Sequence, residues 1–134
     1  MNPNDLLSLA ITARGAAYAR YSQFAVGAAL ETRSGKVFTG CNVENLSYGL
    51  TICAERNAVF AAVAAGEREF TRIVIVADSQ EPVTPCGACR QVLAEFADDL
   101  EVRSVNLQGV AYSANLRELL PRAKAGILDQ PCST

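Results

Sequence analysis

Three cysteines and one glutamate carry most of the chemistry in this sequence. Cys53-Ala54-Glu55-Arg56 forms one run, and Pro85-Cys86-Gly87-Ala88-Cys89-Arg90 forms a second further along. Three thiolates with this spacing suit a tetrahedral ion such as zinc. Three protein ligands leave the fourth position for water, which is the arrangement of a catalytic site rather than a structural one. Glu55 is then expected to move protons as the catalytic acid/base, not to bind the metal. The chain has no histidine. That removes the commonest general base near neutral pH and the commonest nitrogen ligand. Sulfur and carboxylate are left to hold any metal.

Both runs open helices. The N–H groups and the dipole at a helix N-terminus stabilise thiolates, the form that binds metal. Cys86 and Cys89 are one helical turn apart and face the same way. Cys53 and Glu55 are two residues apart, about 200° around a regular helix. They converge only if Cys53 lies at the cap, outside helical geometry. Three thiolates also leave a zinc site with net negative charge. Arg56 is the nearby cation, and a hydrogen bond from it to a ligand sulfur would tune that charge. Other readings of the cysteines stay open. Cys41 is available as a fourth ligand, which would make a non-enzymatic structural zinc module. A redox Cys86–Cys89 pair would call for a thioredoxin-like context. Cys41 otherwise reads as core-facing, and Cys132 as incidental.

The elements that must position these groups are legible from pattern. Asn2 caps a first helix, with Pro3 and Asp5 in its opening turn, and Leu6, Leu9, Ala10, Ala13 and Ala17 carry it to about Arg20. Strands are expected over 24–31 and 36–43, antiparallel because the link is so short. A loop follows over 42–49. The alanine-rich stretch 54–65 is a helix with Ala58, Ala61, Ala62 and Ala65 on one side, stopped by Gly66. The apolar run in 72–78 predicts a central strand covered on both faces. A helix over 87–96, antiparallel strands over 101–107 and 110–114, and a last helix over 115–123 complete the order. The fold class is α/β, with helices on both faces of a mixed five-stranded sheet.

Composition narrows the function. The chain has 134 residues, half of them hydrophobic and 19% charged, enough for one domain spanning 1–134 with a loosely ordered tail from 126. Net charge is −2 and the pI is about 5.1. Lysine and arginine never occur in runs, so nucleic acid is not the expected partner. No apolar stretch approaches membrane-spanning length, and no secretory signal opens the chain. Five cysteines without a secretory signal point to the cytoplasm rather than to a disulfide framework.

Cys53-Ala54-Glu55 followed by Pro85-Cys86-Gly87-Ala88-Cys89 resembles the zinc-dependent nucleoside deaminases. The stretches 21–29, 40–45, Tyr48 and 89–93 are similar to the small homotetrameric cytidine deaminases, over about residues 3–123. The resemblance implies a three-layer α/β/α sandwich and one Zn²⁺ per chain on Cys53, Cys86 and Cys89. It implies hydrolytic deamination of cytidine and 2′-deoxycytidine, a step of pyrimidine salvage, with Glu55 as proton shuttle. Asn42 and Glu44 would hold the ribose hydroxyls, Phe24 would stack on the base, and the Ala54 backbone would fix the base carbonyl. Tyr48 would reach a neighbouring subunit's site. A neutral amide and an anionic carboxylate on the sugar predict a free nucleoside rather than a nucleotide. Lys124 stands where the family carries an aromatic residue after Leu119-Leu120-Pro121. A modified cytosine nucleoside is therefore the alternative substrate.

Overall fold

The computed structural model describes residues 3–127. The expected cap Asn2 and Cys132 lie outside the described residues. The chain runs α1 (Pro3–Arg14), β1 (Val26–Thr32), β2 (Val37–Cys41), a 3-10 turn (Tyr48–Leu50), α2 (Ala54–Ala64), β3 (Phe70–Ala77), α3 (Gly87–Phe96), β4 (Glu101–Asn106), β5 (Ala111–Asn115) and α4 (Leu116–Leu119). The sheet order is β2-β1-β3-β4-β5. β3 and β4 are parallel; β1 pairs antiparallel with β2 and β3, and β5 with β4. The expected mixed five-stranded sheet is present, with β3 at its centre.

Alternation along the strands builds two cores. Ala28, Leu30, Ile73, Ile75 and Val102 face α2, α3 and α4, where Ala54, Ala58, Val59, Ala62, Leu93 and Leu116 are buried. Ala29, Val74, Val76 and Val105 face α1 through Leu6 and Ala10. The result is three layers, α/β/α. Two glycines permit the tightest contacts between layers. A Cβ on Gly27 would lie 2.0 Å from the Ala10 carbonyl oxygen, and one on Gly40 would lie 2.3 Å from that of Ala54 and 2.5 Å from the Ala58 nitrogen. Gly40 therefore lets β2 press directly against the first turn of α2.

Three expectations are corrected. α1 ends at Arg14, not near Arg20. From Gly15 the backbone closes with single-turn bonds to Thr12, Ala13 and Arg14, and Tyr18 then leaves to bridge Val43. α4 is one turn long because Leu120 precedes a proline and leaves helical geometry at φ −144°, ψ 80°. The buried stripe of α2 is Ala54, Glu55, Ala58, Val59 and Ala62, while Ala61 and Ala65 face outward. The segment 42–49 is a loop as expected, pinned at Val43 by single bridges to Tyr18 and Ile52. The remaining elements differ from expectation by a residue or two at their ends, with β1 beginning at Val26 rather than at Phe24.

Candidate active site

The N-termini of α2 and α3 meet above the central strand. Each begins from a cysteine at the cap, Cys53 (φ −71°, ψ 158°) and Cys86 (φ −67°, ψ 171°), both extended. This is the non-helical geometry that Cys53 and Glu55 need to converge. The Sγ atoms of Cys53, Cys86 and Cys89 lie within 4.8 Å of one another. Cys53 and Cys86 are 3.9 Å apart, and Cys86 and Cys89 3.4 Å. Ligand sulfurs about 2.3 Å from a tetrahedral zinc sit about 3.8 Å from each other. The spacing and the all-sulfur donor set fit that ion. Cys41, half-exposed at the end of β2, is not in this group. A fourth protein thiol, as a structural site would have, is therefore missing among the described residues.

Charge follows from the packing. Arg56 Nη2 lies 3.5 Å from Cys53 Sγ, where it can donate to the sulfur. A hydrogen bond from Cys89, together with Arg56, holds the Cys53 thiol down at about 5, although burial opposes it. The Cys89 thiol is pushed up, first by giving its proton toward Cys53 and then by burial. Without an ion, the thiolate character is thus centred on Cys53 and the Cys89 thiol keeps its proton. Glu55, on the first turn of α2, is 5% exposed. Burial raises its pKa to about 7, and the neighbouring Cys53 charge adds to the rise. A carboxyl poised there both accepts and returns a proton near neutral pH.

Above this floor lies a cavity of about 260 Å³. Its lining brings together Phe24, Asn42, Glu44, Cys53, Ala54, Glu55 and Cys86, with Cys89 buried beneath. Tyr48 is not in this wall. Its ring is 74% exposed and lies edge-on to Tyr21, 5.9 Å between centroids. Tyr48 lines a neighbouring cavity of about 400 Å³ that shares Ser22, Glu44 and Thr51 with the first.

The upper wall is a loop tied by its own polar side chains. The buried Asn42 accepts from Val26 N at 2.9 Å and donates through Nδ2 to the Phe24 carbonyl at 2.8 Å. Glu44 accepts from the Tyr21 and Ser22 amides at 2.9 and 3.0 Å and from the Ser22 hydroxyl. The Ser22 hydroxyl bond, then its amide and that of Tyr21, hold the Glu44 carboxyl below the usual range. Gln23 adopts a left-handed backbone (φ 58°), a turn that presents the half-open Phe24 ring to the cavity. Asn57 Nδ2 donates to the Cys41 carbonyl at 2.8 Å and so ties α2 to the end of β2. Sequence reasoning assigned no role to Ser22, Gln23, Asn57, Val83 or Thr84. The left-handed turn at Gln23 carries no glycine or asparagine to mark it, and the Ser22–Glu44 and Asn57–Cys41 bonds join residues far apart in sequence.

The chain carrying this site is similar to known proteins in four comparisons. The family model described as cytidine and deoxycytidylate deaminase zinc-binding region matches residues 2–103. The chain is 51% identical over 124 residues to cytidine deaminase of Halalkalibacterium halodurans, covering 92% of this chain and 94% of the relative. A crystal structure of cytidine deaminase from Burkholderia pseudomallei superposes with a TM-score of 0.88 at 52% identity, over 90% of this chain and 98% of that one. A more distant relative, blasticidin-S deaminase of Bacillus cereus, is 32% identical over 104 residues, 72% of this chain and 74% of the relative.

Proposed function

The chain belongs to the cytidine and deoxycytidylate deaminase family, and from that premise we propose that it hydrolyses cytidine and 2′-deoxycytidine to uridine and 2′-deoxyuridine, releasing ammonia. The observation that carries this reading is the buried Glu55 beside a three-thiol cluster at the floor of a nucleoside-sized cavity. Cys53, Cys86 and Cys89 would hold one zinc ion per chain, which when bound supplies Lewis acidity that readies water for attack at C4. Glu55 takes one proton from the attacking water and delivers it to ring N3, where the product keeps it, then carries the second, from the hydroxyl now on C4, to the departing amino group, which leaves as ammonia. The 5%-exposed position of Glu55 keeps bulk solvent from competing for that proton.

The remaining roles follow from unused bonding capacity. Asn42 keeps one amide hydrogen and one lone pair beyond its two loop bonds, and Glu44 keeps lone pairs beyond its three. Both suit sugar hydroxyls, and the Glu44 charge repels a phosphate, so the substrate is a free nucleoside. Ala54, at the first position of α2, offers an N–H without an intrahelical partner, suited to the base carbonyl. Phe24 stacks on the base. The projecting Tyr48 fits a role in a neighbouring subunit's site and a homotetramer. Unpaired thiols in close proximity favour the reducing cytoplasm, and the reaction fits pyrimidine salvage. No described helix is long and apolar enough to cross a membrane.

The test is ultraviolet absorbance of cytidine incubated with zinc-loaded protein beside the Glu55→Gln variant. Loss of the cytidine band with ammonia release in the wild type alone is expected. No loss with metal-loaded wild type would overturn the reading. A modified cytosine nucleoside is the second reading, favoured by the blasticidin-S deaminase similarity and by Lys124. Lys124 lines a separate cavity of about 340 Å³ with Arg117 and Arg122. Faster turnover of such a nucleoside than of cytidine would select it.

A further inference from the structure

The segment that delivers Cys86 has little to hold it. Residues 82–85 lie outside helix and strand, and Pro82 and Pro85 contribute no backbone N–H. One side chain supplies what the backbone does not. Arg90 Nε donates to the Pro85 carbonyl at 2.7 Å, and Nη2 donates to Thr84 Oγ1 at 3.1 Å. Nη1 reaches the other way and donates to the Leu119 carbonyl at the end of α4, at 2.9 Å. The Arg90 amide donates to the Cys86 carbonyl at 2.9 Å. The same residue therefore holds the two residues before Cys86, the carbonyl of Cys86 and the last turn of α4.

We propose that Arg90 is the positioning residue of the metal loop: its guanidinium fork sets Cys86 against Cys53 and Cys89 and couples that thiol to the C-terminal turn at Leu119. This rests on the zinc reading above. The planar fork matters, because three acceptors in three directions match a guanidinium and not an ammonium. Cys86 is the solvent-exposed thiol of the three and lines the cavity with Val83 and Thr84. Loosening Arg90 therefore moves a ligand and part of the substrate wall together.

The experiment compares wild type with Arg90→Gln, Arg90→Lys and Thr84→Val, reading zinc release to a chromogenic chelator, the visible spectrum of the cobalt-substituted protein, and Tm. Arg90→Gln is expected to weaken zinc retention by about 10- to 100-fold and to alter the cobalt bands. Arg90→Lys falls between it and wild type. Thr84→Val, which removes one acceptor, costs about 3- to 10-fold and adds nothing further in the Arg90→Gln background. A lowered Tm with unchanged release rate and unchanged cobalt bands would reduce Arg90 to ordinary packing and overturn the proposal. Should Arg90→Gln not fold, Arg90→Lys and Thr84→Val decide by the same readings. Wild type that binds neither metal would overturn the zinc reading and the role of Arg90 with it; a metal-binding wild type with indifferent variants overturns the role alone.

Discussion

The two walls of the cavity are built by different physics. The floor is built on two helix starts, of which that of α2 is pressed into the core: Ala54 and Glu55 are buried, and Gly40 lets the β2 backbone touch α2 without an intervening side chain. The roof is a solvent-facing loop, residues 21–26 with 42–44, in which Asn42 and Glu44 hydrogen-bond the very backbone that carries Phe24. The floor takes its precision from close packing and the roof from polar self-bonding. The groups proposed to react therefore sit where burial shifts protonation, and those proposed to recognise the substrate sit where a ligand can enter.

Variants on each side separate the two. The largest effect belongs to Glu55→Gln. It removes the proton shuttle and lowers turnover by about 1,000-fold, while zinc content and the folded circular dichroism spectrum persist. A variant keeping substantial turnover would mean that the floor does not supply the acid/base. Next comes Gly40→Ala. The added methyl meets backbone atoms of α2, not a side chain that could swing aside, so about 3 kcal/mol of stability is lost, read from urea denaturation. A neutral result would show that β2 and α2 do not pack as tightly as the roof–floor contrast requires.

Asn42→Ala tests the roof. It deletes one acceptor and one donor at a buried position, costs about 2 kcal/mol, and raises KM more than it lowers kcat. Equal losses in both would place Asn42 in the chemistry. The smallest effect is the acid response of Glu44. Its folded pKa lies below the ordinary 4.5, so its contribution is present above 4.5 and is lost as pH falls through the lower folded value. Glu44→Gln should therefore flatten the dependence of stability on pH in that acid window and leave it unchanged at neutral pH. An identical acid profile for the variant would separate Glu44 from the order of the loop.

The floor was readable in the sequence because its residues are chemically scarce and locally spaced. Cysteine at two helix starts, glutamate two positions after one of them and the absence of histidine leave few alternatives. Phe24, Asn42 and Glu44 were placed by family resemblance, and the structure brings all three into one wall. What holds them there was not readable. Ser22 to Glu44, Asn57 to Cys41 and Arg90 to Leu119 are bonds between residues far apart in sequence, and no local pattern encodes them. Alanine misled in two of the three helices where expectation and structure differ. It satisfies a helical period without choosing a face, so α1 was extended past Gly15, and Ala61 and Ala65 were grouped on one side with Ala58 and Ala62 although only the latter pair is buried. For α4, the signal was present in Pro121 but was outweighed by the helix-forming residues around it.

Strand β3 lies between Cys53 and Cys86 along the chain, and it is the middle strand of the sheet. The two sulfurs, 33 positions apart, come together only after β3 has paired with β1 and the α3 crossover has brought β4 alongside. These are among the slower events of folding, because they close long loops before any contact repays them. It follows that the thiol cluster is a product of the completed topology and not a nucleus for it. An ion held more tightly by the assembled cluster than by the separated thiols of the unfolded chain stabilises the native state, so the melting temperature should climb with free zinc concentration. Refolding should pass through a colourless, metal-free stage before cobalt absorbance grows in.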